Sequence, residues 1–168
     1  MTATTETAFL SQLEKYKGIL HKVSRMYMDS AEDREDLQQE IIIQLWKSYG
    51  SFKKESEFST WMYRVSVNTA ITYFKKEKKK KETVFPGEIP EHASADYDAT
   101  RDNQMEQFYK AVHELKPVEK ALVFYFLEGH SHKETGDHLG ISEVNARVKL
   151  NRTKEKLQHI IKTKAYEL

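Results

Sequence analysis

Two of the chain's three prolines, one of them in a Pro-Gly turn, fall in one aperiodic stretch, VFPGEIPEHASADYDATRD at residues 84–102. Residues 82–107 carry seven acids against one base. This composition reads as a linker over 82–102, which leaves two pieces, 1–81 and 103–168. Each piece is small and shows only helical periodicity. The fold class expected is therefore all-α, with two small helical domains joined by a flexible acidic linker, and no internal repeat is apparent.

In the first piece Phe9, Leu13, Tyr16, Leu20, Val23 and Tyr27 recur at spacings of three and four, the stripe of one amphipathic helix. Ser30 is placed to cap a second helix with acids in its first turn, and Leu37, Ile41 and Leu45 give it a core face up to Gly50. A third helix is expected from near Phe58, because no proline or glycine interrupts the chain between Ser51 and Val84. Its apolar residues fall on two sides, Trp61 and Val65 on one and Tyr63, Val67, Ile71 and Phe74 on the other. Packing against two helices leaves aromatic side chains over, beside Arg64 and a lysine run.

In the second piece a helix ends near Leu115, and Pro117 with Glu119 opens another that Gly129 closes. Ser131 and Glu134 have capping-box spacing for a short helix through Leu139. Gly140 can stop that helix in a left-handed conformation, and Ser142 can cap the next. Two helices joined by a short turn containing glycine are a helix-turn-helix.

The chain has 39% apolar and 11% aromatic residues, enough for a core, and a formal net charge of only +1. The charge is unevenly placed. Residues 53–81 hold nine cations and three anions, and residues 147–168 seven and two. Two basic blocks flanking an acidic middle suit a protein that grips a polyanion at two places, although a solvated surface explains either block alone. With no cysteine there are no disulfides, thiol nucleophiles or cysteine-held zinc. No signal-like N-terminus or membrane-length apolar run is present, so the reading is cytoplasmic, without membrane insertion.

The stretch GHSHKETGDHLGISEVNARVKLNR, residues 129–152, holds His130, His132 and His138 and ends in cations. A metal site is disfavoured, since these histidines lack the i, i+4 spacing of paired helical ligands and no spaced carboxylate completes a set; no metal is expected. Solvated or phosphate-facing histidines are the better account. A bland helical hairpin is the alternative to a DNA reader. Ala146, Leu150, Leu157 and Ile161 form the buried stripe of the last helix, and Asn145, Arg147, Lys149, Asn151 and Arg152 crowd its first turns. Arginine and asparagine can pair with guanine and adenine edges in a major groove, while lysine suits phosphate. Geometry and composition together favour duplex DNA.

Two separated segments then resemble one family. LEGHSHKETGDHLGISEVNARVKLNRTKEKL is similar to region four of the extracytoplasmic-function (ECF) group of bacterial sigma-70 factors. EDLQQEIIIQLWKSYGSF resembles the helix with which that group binds core polymerase, and FSTWMYRVSVNTAITYFKKEKKK its melted-promoter region. Asp36-Leu37, Gln39-Glu40, Trp46, Trp61, Tyr63-Arg64 and Asn68 recur at family spacing. Thr135 and Gly136 depart from the usual Ile and Ala, a glycine there weakening the helix by about 1 kcal/mol. Thr72 and Lys75 stand where aspartate and arginine are frequent.

The resemblance implies an ECF-type sigma factor, a non-enzymatic protein that binds core RNA polymerase and directs initiation at promoter DNA. It implies polymerase contacts from Glu35, Asp36, Gln39, Glu40, Gln44, Trp46 and Lys47. Melted promoter would meet Trp61, Tyr63, Arg64, Asn68, Lys75, Lys76 and Lys78 to Lys81. Duplex DNA would meet Lys133, Ser142, Asn145, Arg147, Lys149, Asn151 and Arg152. No cofactor is called for, and an anti-sigma factor is a further partner the family allows. A stand-alone regulator would keep only the helix-turn-helix. An enzyme acting on nucleic acid would need a phosphate loop, a metal-spaced carboxylate cluster or an activated nucleophile, and the sequence offers none of these.

Overall fold

The computed structural model of the chain describes residues 3–52, 54–84 and 102–166, and among them every regular element is helical. They belong to two compact units, within residues 1–88 and 89–168. Most of the expected linker, residues 85–101, lies outside the described residues.

The first unit holds α1 (Ala3–Lys15), α2 (Lys17–Tyr27), α3 (Ala31–Ser48), a 3-10 turn at Tyr49–Ser51 and α4 (Phe58–Val84). The single helix read through Phe9–Tyr27 is two. Tyr16 leaves helical geometry at φ −111°, ψ 18°, and the Ile19 N–H reaches back only three residues to the Tyr16 carbonyl at 3.0 Å. The hydrophobic spacing continues across this interruption, so periodicity could not reveal it. Ser30 caps α3, its hydroxyl accepting from the Asp33 N–H at 3.1 Å. Leu37, Ile41 and Leu45 are fully buried, and α2, α3 and α4 pack pairwise.

The buried face of α4 is Phe58, Met62, Ser66, Val67 and Ala70, of which Ser66 and Ala70 are too small or too polar to have marked it in the sequence. Aromatic rings gather at one end of the bundle. Phe9 lies 5.0 Å from Trp46 and 5.1 Å from Tyr49, and Trp61 lies 5.0 Å from Phe52 and 5.4 Å from Phe58, centroid to centroid. Tilted and edge-to-face rings at these separations attract beyond their buried area.

The second unit holds α5 (Asp102–His113), α6 (Pro117–Leu127), α7 (His132–Leu139) and α8 (Glu143–Tyr166), with α5, α6 and α7 packed on α8. Glu119 accepts from the Lys116 N–H at 2.9 Å, and Ser131 and Glu134 cap each other's backbone at 3.1 and 3.2 Å. Helix α7 ends at Gly140, φ +71°, where the Ile141 N–H bonds the Gly136 carbonyl at 3.0 Å. Only glycine takes this left-handed position freely. Ser142 then caps α8 by accepting from the Asn145 N–H at 3.0 Å.

Gly136 has a role that helix propensity does not express. A Cβ there would stand 2.7 Å from the Ile141 carbonyl oxygen and 3.3 Å from two backbone atoms of Ser142. Its missing side chain lets the turn into α8 close against α7.

Candidate functional site

Helix α8 buries Ala146, Leu150, Thr153 and Leu157 at spacings of four, three and four. The opposite strip is Val144, Val148, Asn151 and Glu155, flanked by Arg147 on one side and Asn145 and Arg152 on the other; all are exposed. Lys149 is exposed beside the buried edge, next to Leu150, and Ser142 and Lys133 are exposed at the turn and on α7. All seven residues expected to meet duplex DNA are therefore solvent-facing on the helix-turn-helix. The sequence reading passed over Val144 and Val148, which are 58% and 36% exposed at the centre of the outer strip. The missed signal was their spacing of two residues to either side of the buried Ala146, which turns them away from the buried face.

Of the three histidines of this motif, His132 is partly exposed at the start of α7, while His130 and His138 are packed against rings rather than solvated. His138 is only 7% exposed and stacks on the Tyr125 ring at 4.9 Å, while His130 meets both rings edge-on at 5.1 and 5.4 Å. Through these ring contacts they help fill the space under the eight-residue α7, which has few apolar side chains of its own. Hydrogen bonds from Ser131, backbone first and then hydroxyl, hold the Glu134 carboxyl below its usual pKa, and the two histidines add to this. Among the described residues no group of three His, Cys, Asp or Glu could hold a metal ion.

On α4 the strip Trp61, Arg64, Asn68, Thr72, Lys75 and Lys79 recurs at spacings of three and four opposite the buried stripe. All but Trp61 are exposed, and Trp61 is half-buried, its inner side held by Phe52 and Phe58. Lys76, Lys78, Lys80 and Lys81 are exposed around the distal turns. Tyr63 is half-buried, about a third of a turn from Met62 and on the far side of it from Trp61. The register thus separates the two aromatics that pattern alone left equivalent. An aromatic ring at the head of a row of cations and an amide can stack a base and follow a strand's phosphates.

On α3 the residues Glu35, Asp36, Gln39 and Lys47 are exposed, and Glu40 and Gln44 are half-buried, the Gln44 amide donating to Glu40 at 3.0 Å. Trp46 is half-buried, stacked on Tyr49 at 6.3 Å as well as touching Phe9, and so belongs partly to the aromatic end of the core. Ile43, 46% exposed, sits among Asp36, Gln39, Glu40 and Lys47, an apolar centre in a polar face that sequence reasoning had not singled out. The acids of this face also lie near α4. Burial, then the charges of Glu77, Asp36, Asp33 and Glu40, push the Tyr73 hydroxyl above its ordinary pKa, and Lys81 approaches Asp33 at 4.0 Å.

Against known proteins, residues 13–80 match the sigma-70 region 2 family and residues 105–157 the sigma-70 region 4 family. The RNA polymerase sigma-H factor of Pseudomonas aeruginosa is 30% identical over 105 residues, 62% of this chain and 47% of that protein. The ECF RNA polymerase sigma factor SigM of Mycobacterium tuberculosis is 23% identical over 158 residues, 92% of this chain and 77% of that one. The chain thus spans just under half of the first relative and about three quarters of the second. Among solved structures, the sigma factor RpoE in complex with the anti-sigma factor NepR from Bartonella quintana shares the fold. That match has a TM-score of 0.74 at 19% identity and covers 92% of this chain and 97% of that one.

Proposed function

The chain belongs to the sigma-70 family of bacterial RNA polymerase sigma factors, in its ECF group, and from that premise we propose that it directs core RNA polymerase to its promoters. Residues 1–81 form the polymerase-binding and strand-holding domain, residues 82–102 the connection, and residues 103–168 the duplex reader. It acts in the cytoplasm as a specificity factor and catalyses no reaction of its own; no described helix is long and apolar enough to cross a membrane.

The observation that carries this reading is the pairing, in order, of two unlike surfaces on the matched regions. One is a single α4 strip where Trp61, Arg64, Asn68 and Lys75 align, and the other is the capped helix-turn-helix exposing Asn145, Arg147, Asn151 and Arg152. Opening a promoter makes or breaks no covalent bond. Unpaired bases need only be held more favourably than stacked ones, and each ring accepting a base contributes about 1–3 kcal/mol. Tethering the strand holder to the duplex reader raises the effective concentration of each at its site, so neither needs high affinity alone.

The α3 face is the dock for polymerase. Asp36, Gln39 and Glu40 offer a polar stripe at i, i+3 and i+4 to cations on a partner helix, around Ile43 as apolar centre. Since the Bartonella relative was solved with an anti-sigma factor, a partner of that class is included for this chain. Co-elution of the full chain with core polymerase tests the reading. Asp36→Lys and Glu40→Lys each place like charge against the partner and should weaken association about tenfold or more. Unchanged co-elution of both variants overturns it.

A further inference from the structure

We infer that Val144 and Val148 read the C5 methyl groups of two thymines in the major groove of the upstream promoter element. The inference rests on the reading of α7 and α8 as the duplex reader and adds to it the bases chosen. Both valines lie on the outer strip of α8, 58% and 36% exposed, one helical turn apart. A solvent-facing valine costs a helix more than alanine or lysine does, because its branched Cβ loses rotamer freedom. Here two such residues occupy the middle of the face while the polar residues stand to either side.

The surroundings specify what covers them. Arg147 and Arg152 flank Val148 on either side and Lys149 follows it, against Glu143 at the helix start and Glu155 two turns on, so the covering surface is polyanionic at its edges. It must also be apolar at its centre. In the major groove thymine alone among the four bases presents a methyl group, beside phosphates that the flanking cations reach. Membranes offer anionic edges too, but α8 buries its other face within its own unit and its exposed apolar surface is two side chains wide.

The geometry also sets a spacing. Val144 and Val148 stand about 6 Å apart along the helix axis. Successive base pairs rise ~3.4 Å, so the two methyl groups belong to thymines about two base pairs apart, on either strand.

The test uses holoenzyme assembled from the full chain and its core polymerase, with transcription selecting promoters from a library randomised in the upstream element. Selected elements should carry thymine at two such positions. Replacing either thymine by deoxyuridine, which removes only the methyl, should weaken promoter binding by roughly three- to fivefold. Val144→Ala should abolish the methyl dependence at one position and Val148→Ala at the other; alanine is the better helix former, so neither change threatens folding. Selected elements without thymine, insensitivity to deoxyuridine, or methyl dependence unchanged in both variants would overturn the inference while leaving the duplex reader standing. Selection of no upstream sequence at all would overturn both.

Discussion

Replacing Gly136 by alanine sets helix propensity against tertiary fit. On propensity alone the substitution gains about 1 kcal/mol, since glycine costs that much in a helix interior. The added Cβ, however, would lie 2.7 Å from the Ile141 carbonyl oxygen and 3.3 Å from C and O of Ser142. These are backbone atoms, so the turn itself must shift. Overpacking of this kind costs ~1–3 kcal/mol. The shift also strains the Ile141 N–H bond to the Gly136 carbonyl and the Ser142 cap, both 3.0 Å long and each worth about 1 kcal/mol. A net destabilisation of the second unit by about 1–2 kcal/mol is expected. Both tryptophans lie in the first unit, so fluorescence of the whole chain would pass over the change. Amide hydrogen exchange resolved to residues 132–150 is the suitable assay, and its slowest amides should exchange about 5–30 times faster. Unchanged or slower exchange would refute the close approach as the reason for glycine.

Three further outcomes follow from single side chains. Burial works to raise the Glu119 pKa, but hydrogen bonds from the Lys116 N–H and from Lys156 outweigh it and leave the carboxyl below its ordinary value. The stability it gives is therefore complete above the unfolded pKa of 4.5 and is lost as pH falls through the lowered folded value. Glu119→Gln should flatten that acid limb in urea titrations and cost about 1 kcal/mol at pH 7. Arg147→Ala should weaken binding to upstream duplex by about 1–3 kcal/mol while co-elution with core polymerase stays intact; loss of co-elution would show the domains misassigned. Lys75→Ala should lower the salt slope of holoenzyme binding to a pre-melted promoter strand by roughly 0.7, one phosphate contact, and an unchanged slope would place the strand elsewhere.

What the sequence disclosed was largely backbone chemistry. Ser30, Glu119, Ser131, Glu134, Gly140 and Ser142 each signalled a cap or stop by residue type and spacing, because the groups they satisfy lie three or four residues away along the chain. Leu37, Ile41 and Leu45 were legible for a similar reason, being one helix face. The interruption at Tyr16 was hidden because the stripe stays in phase across it. The α4 core was hidden because Ser66 and Ala70 pack by being small where neighbouring helices come close. His138 looked polar and solvated in the sequence, but a short helix with few apolar residues buries its imidazole against Tyr125. Val144, Val148 and Ile43 fall outside the core stripes legible in the sequence, and the register of their helices turns them outward. Which of two faces a residue occupies depends on partners distant in sequence, so the candidate surfaces were legible as segments and became residues only with the fold.

That this chain gives core polymerase its promoters is the central claim. Run-off transcription on fragments of the chain's own genome measures that directly. Core polymerase with the full chain should start RNA at a discrete set of sites from which core alone produces nothing. If the loaded enzyme initiates at no site that core lacks, the central claim is wrong.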